Sequence, residues 1–127
     1  MTQDQTPKPI HHKMEFLQGS TFASVSLANA TFTDSHLMDV TFDDVNATGM
    51  SFDNVNLSMS VYHGVNLSGA SISDANLTGL TIKGANLIGV EMSDVNLSGA
   101  IISDAEMDGM TINGILVSDL LAKWNAK

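Results

Sequence analysis

The chain has 127 residues and a formal net charge of -9, with fourteen acidic side chains against five basic ones and no cysteine. That length predicts one domain. The charge argues against nucleic acid or an anionic membrane surface as a direct partner, and the missing thiols exclude disulfides and thiolate metal sites.

Met1 to Glu15 reads as a polar tail or loose cap, with Pro7, Pro9, His11 and His12. It lacks the apolar core of a signal peptide, and no apolar run in the chain approaches the ~20 residues of a membrane span. A soluble, cytoplasmic protein is expected. Adjacent histidines point apart in most backbones and no third ligand lies near, so no metal site is expected there.

Phe16 and Leu17 begin a five-residue repeat that runs to Val117. Every fifth residue from Leu17 is apolar or aromatic, through Phe22, Leu27, Phe32, Leu37, Phe42 and on to Ile112 and Val117. The one small centre is Ala47, beside Met50. Two residues before each centre, from Ser20 on, the residue is Ala, Val, Leu, Ile or Met except at Ser20, Ser35 and Ser60. Two residues after it stands Gly, Asn or Asp, except at Ser24 and Met59. All ten glycines fall in that last column.

An α-helix rotates by about 100° per residue, so steps of five scatter the apolar groups around the axis. A straight strand alternates with period two, so an odd repeat throws successive apolar pairs to opposite faces. The pattern closes only if the chain turns a corner every five residues, always in the same sense. The Gly/Asn/Asp column supplies that corner, because these residues tolerate positive φ. Aromatics recur every ten residues at Phe22, Phe32, Phe42, Phe52 and Tyr62, so a coil has an even number of sides; periodicity alone does not give four.

Blocks such as Ala75-Asn76-Leu77-Thr78-Gly79 and Ala85-Asn86-Leu87-Ile88-Gly89 resemble the A(D/N)LXX consensus of the pentapeptide-repeat family. The resemblance implies an all-β fold, a right-handed quadrilateral β-helix of four blocks per coil and about five coils. It would stack Leu17, Leu37, Leu57, Leu77 and Leu97 in one column, Phe22, Phe42 and Tyr62 in another, and Phe32 with Phe52 opposite. At ~4.8 Å per coil the rod is roughly 24 Å long.

The pattern changes after Val117. Ser118-Asp119 is read as the cap of a short helix over 118–127 that places Leu120, Leu121 and Trp124 on one edge. The open end of a β-helix needs a lid, so Trp124 is expected on the last coil; the same three residues are the candidates for a dimer contact, as in proteins that resemble this one.

No phosphate loop, nucleophile elbow or metal-ligand cluster occurs, and His36 and His63 fall on different faces, so no enzyme and no cofactor are expected. Six Asn-x-Ser/Thr matches are by-products of the repeat. The informative signal is charge. From Leu17 to Leu121 there are twelve acids and one base, Lys83. One face collects Asp34, Asp53, Asp74, Glu91 and Asp94 without a base, and Asp34, Asp74 and Asp94 share a column with Asn54. Such a row serves solubility, or imitates the phosphates of one DNA strand. The expected function is a non-enzymatic scaffold that binds another protein. The sharper alternative, from the resemblance, is a DNA mimic that binds a type II topoisomerase such as DNA gyrase and gives quinolone-type resistance. An effector or purely structural module is the third.

Overall fold

The computed structural model describes residues His11–Lys13, as backbone, and 19–126. The first repeat centre, Leu17, and most of the expected N-terminal tail lie outside the described residues, as do the side chains of His11 and His12. The strands in chain order are β1 (His11–Lys13), β2 (Thr21–Ala23), β3 (Thr31–Thr33), β4 (Thr41–Asp43), β5 (Ser51–Asp53), β6 (Val61–His63), β7 (Ser71–Asn76), β8 (Thr81–Lys83), β9 (Glu91–Asn96), β10 (Ile101–Ser103), β11 (Thr111–Ile112) and β12 (Ile115–Leu116). One helix, α1 (Val117–Asn125), follows.

Successive strands alternate between two sheets. The first runs β1-β3-β5-β7-β9-β11-β12 and the second β10-β8-β6-β4-β2. Except at β12, neighbours are parallel and in register at a separation of one coil, as in Thr31↔Ser51↔Ser71↔Glu91. Between the sheets, two further sides are held by single parallel bridges, Ser26↔Asn46↔Asn66↔Asn86↔Glu106 and His36↔Asn56↔Asn76. The coil is therefore a square with one five-residue block per side. The β-solenoid has about five turns, one for each strand of the second sheet.

Two kinds of corner alternate, and the sequence encodes the difference. After the centres on the bridge sides the chain closes a four-residue turn, as in Ala70 N–H to Leu67 O at 2.9 Å and Val90 N–H to Leu87 O at 3.1 Å. The third residue of that turn sits near φ 70° at Gly69 and Gly89, the geometry of a type II turn. After the sheet strands the corner is an open bend near φ 50–55°, occupied by Asp34, Asp44, Asp74, Asp94 and Asp104. Asp tolerates this lower positive φ where other side chains clash. Where Asn stands just before a bridge-side centre it caps the turn that follows; Ser26, His36 and Glu106 hold that place before Leu27, Leu37 and Met107. Asn56, Asn66, Asn76, Asn86 and Asn96 accept the N–H two residues on at 3.0 Å each. The VNLSG-type block is thus a turn with its own side-chain cap.

The apolar columns point inward. Leu27, Leu37, Leu57, Leu67, Leu77 and Leu87 are buried in one continuous core. Rings stack along the axis, Phe22 on Phe42 at 5.1 Å, Phe42 on Tyr62 at 4.8 Å and Phe32 on Phe52 at 5.5 Å. Across the axis Phe42 meets Phe52 edge-on at 6.4 Å. Such pairs add about 0.5–1.5 kcal/mol each beyond area burial. Ala47 and its neighbours Met50 and Leu67 are all buried.

Tyr62 carries the one polar atom that this core strands. Its hydroxyl is buried and has no hydrogen-bond partner within the described residues, while Ser60 beside it donates its own proton to Leu57 O at 2.5 Å. Burial pushes the Tyr62 phenol far above its ordinary pKa.

The C-terminal end departs from the sequence reading in two ways. The parallel ladder stops at Ile112, short of Val117. Asn113 and Gly114, at φ 51° and 78°, reverse the chain so that β12 pairs antiparallel with β11. Two successive positive φ values make a type I′ turn, and Asn-Gly is its preferred pair. The block MTING fits the five-residue register, which hid this hairpin. The helix also begins one residue before Ser118. Leu116 is the N-cap with no side-chain cap bond, so Ser118 and Asp119 do not cap it. Its burial rests on Val117, whereas Trp124 stays 65% exposed rather than seated on the last coil.

The acidic face as candidate functional site

The first sheet and its trailing bend carry the five acids singled out from sequence. The register of β3, β5, β7 and β9 puts Asp53 beside Ser73, and the bends place Asp34, Asn54, Asp74 and Asp94 one above the other. Asn54 Nδ2 donates to Asp34 Oδ1 at 2.6 Å, and Ser73 Oγ donates to Asp53 Oδ1 at 3.0 Å. Neutral donors therefore hold two of the carboxylates. Glu91, at the register position of Ser71 and Thr111, is exposed.

Asp34 and Asp74 line one groove of about 590 Å³ along the edge of the square. Asn54 lies between them, and His36, Asn56 and Asn76 form the adjoining wall. Asp53, Glu91 and Asp94 are not part of that groove. The repeat places Asn54 in the acidic column but does not by itself join that column to the His36–Asn56–Asn76 row. The signal was present, since each row steps by one coil. Strand β1 also brings Lys13 to the register position of Thr33 at the N-terminal edge.

The opposite sheet differs in charge pattern. There Asp43 and His63 form a pair with Nδ1 and Oδ1 3.0 Å apart, and Lys83 follows at the next register position. Ser24 Oγ donates to Asp44 Oδ2 at 3.1 Å. Among the described residues no group of three or more His, Asp or Glu could hold a metal ion, and no helix is long and apolar enough to cross a membrane.

A family model for the pentapeptide repeat region matches residues 16–92, and a second, for pentapeptide repeats in eight copies, matches residues 75–114. No curated protein sequence matches the chain. Among solved structures, a pentapeptide repeat protein of the Arabidopsis thaliana thylakoid lumen aligns with TM-score 0.51 and 23% identity, over 78% of this chain and 69% of that one. A pentapeptide repeat protein of the cyanobacterium Cyanothece 51142 aligns with TM-score 0.37 and 20% identity, over 76% and 87%. QnrB1, a plasmid-mediated fluoroquinolone resistance protein, aligns with TM-score 0.37 and 13% identity, over 92% and 96%. The four-sided coil, the inward column at every fifth residue and the two family matches agree: this chain belongs to the pentapeptide repeat family.

Proposed function

We propose that the protein is a non-enzymatic, cytoplasmic scaffold that presents the acidic first-sheet face to another protein. The observation that carries this reading is the bend column Asp34–Asn54–Asp74–Asp94, flanked by Asp53 and Glu91, on a rigid backbone with no base from β3 onward. Partly fixed carboxylates at regular spacing favour a partner with a matching basic strip, and such complementarity governs association rate and specificity. A rod with a line of acids also has the charge layout of a duplex edge, which supports the sharper reading of a DNA mimic bound by a type II topoisomerase. Leu120 and Leu121 are 46% and 47% exposed and lie beside Trp124, which supports a second role for α1 as the contact between two copies.

The test is a DNA gyrase supercoiling assay with and without a quinolone. The topoisomerase reading expects a change at micromolar protein that Asp74→Lys with Asp94→Lys abolishes. No effect of the parent protein removes that reading. Unchanged binding of a purified partner by the charge-reversed protein removes the acidic face as the docking surface. Light scattering of Trp124→Ala against the parent tests the dimer, and an equal monomer mass in both removes it.

A further inference from the structure

We propose that Asn113–Gly114 is a site of spontaneous deamidation, and that the modification releases the strand closing the C-terminal edge of the first sheet. Asn113 is the one asparagine of the chain followed by glycine; all others precede Ala, Val or Leu. A glycine nitrogen carries no neighbouring side chain to obstruct it. In the reaction, Gly114 N attacks the Asn113 side-chain carbon and forms a five-membered succinimide. The bond from that carbon to the amide nitrogen breaks, and ammonia leaves with the proton given up by Gly114. Water then opens either imide carbonyl, giving aspartate or isoaspartate.

The site assembles what this chemistry needs. Both residues are exposed, and Gly114 N–H makes no hydrogen bond within the described residues. Asn113 Oδ1 accepts Asp94 N–H at 3.1 Å, which draws electron density from the carbon under attack and stabilises the oxyanion formed there. The turn must leave its left-handed conformation for the nitrogen to reach that carbon. It is held by two paired positions, Thr111↔Leu116 and Ile112↔Ile115, by Val117 N–H to Met110 O at 3.0 Å and by Asn113 N–H to Met92 O at 2.8 Å, and Ile115 and Leu116 are themselves exposed. Short elements at the end of a fold open at low free energy.

The bond to Asp94 also shows what the product destroys. In earlier coils the bend N–H is taken by a main-chain carbonyl of the next coil, Asp34 by Asp53 O at 3.1 Å and Asn54 by Ser73 O at 3.0 Å. Where the chain reverses, the Asn113 side chain stands in for that carbonyl. Isoaspartate adds a backbone methylene to a two-residue turn whose geometry has no place for it. It also carries the accepting oxygen away, so β12 parts from β11.

The experiment incubates the folded full-length protein at mildly alkaline pH and maps every asparagine by peptide mass spectrometry. Conversion at Asn113 at least about tenfold faster than at any other asparagine, and slowed by Gly114→Ala, supports the proposal. In the converted fraction the Ile115 and Val117 amides, the latter donating to Met110 O at 3.0 Å, then lose their hydrogen-exchange protection. The chain unfolded in urea is the reference. If Asn113 converts there but stays intact in the folded protein, or if converted protein keeps those amides protected, the proposal is overturned.

Discussion

Leu77 and Leu97 occupy the same column of the same repeat, one coil apart. Leu77 is wholly buried, whereas Leu97 is only partly buried, together with Val95, Ala100, Ile102, Ala105 and Met107 in the last coil. The local words barely differ, ANLTG against VNLSG. A block in the middle has a coil above and below it. A block in the last coil has a neighbour on one side, plus a two-stranded hairpin and a helix that buries Val117. In a solenoid, burial comes from neighbouring coils, and identical repeats differ in stability according to their place.

The sharpest way to break that comparison is a paired truncation. Leu77→Ala is expected to lower unfolding stability by about 2–5 kcal/mol, and Leu97→Ala by less than half of that, in urea denaturation. Equal losses would mean that the last coil is as well covered as the middle. Phe42→Ala belongs with Leu77→Ala, since it removes one member of a three-ring stack and an edge contact with Phe52.

Next in size is the one flaw of the middle coils. Tyr62→Phe removes a buried hydroxyl that has no partner among the described residues and is expected to raise stability by about 1 kcal/mol. The sign of its pH dependence follows from the raised phenol pKa. The unfolded state ionises near 10.0 while the folded state does not, so unfolding gains from rising pH. Parent stability therefore holds below pH 10.0 and falls above it by about 1.4 kcal/mol per pH unit. Thermal melts of parent and Tyr62→Phe compared across that range isolate the contribution, and parallel curves would contradict it.

A smaller effect is expected at Met59, which holds a type II-like corner at φ 60° where Gly49, Gly69 and Gly79 stand in neighbouring repeats. Met59→Gly relieves left-handed strain but loosens the unfolded chain, leaving a gain of about 0.5–1 kcal/mol. Smallest of all, Asp74→Asn on the exposed bend is expected to change stability by no more than about 0.5 kcal/mol, so any effect of that variant on partner binding reads recognition rather than folding.

Most of the middle of the molecule was legible because its rule is periodic. A strict column of Phe, Leu and Ile at every fifth residue calls for an inward-facing coil once the corners are accepted, and the family resemblance, which implies four sides, says which rings stack. The acids of the first-sheet face were legible for the same reason. The end was not. Met110-Thr111-Ile112-Asn113-Gly114 satisfies the repeat and a hairpin equally, and only the absence of a further coil to pair with decides for the hairpin. Trp124 is expected on the last coil because an open β-helix end needs a lid, but Val117 is the residue that the helix buries. The joining of His36, Asn56 and Asn76 to the acidic column depends on which corner separates two faces. The repeat alone does not display that relation.

The most direct test of the four-sided coil is disulfide formation between paired cysteines, which the cysteine-free parent makes unambiguous. Ser51 and Ser71 are Cα partners on adjacent coils. Ser51→Cys with Ser71→Cys is expected to crosslink on mild oxidation within the reach of a disulfide, and Ser51→Cys with Asn76→Cys, one side further round, is not. A crosslink at 51 and 76 but none at 51 and 71 would contradict the coil length on which the core columns and the acidic face both depend.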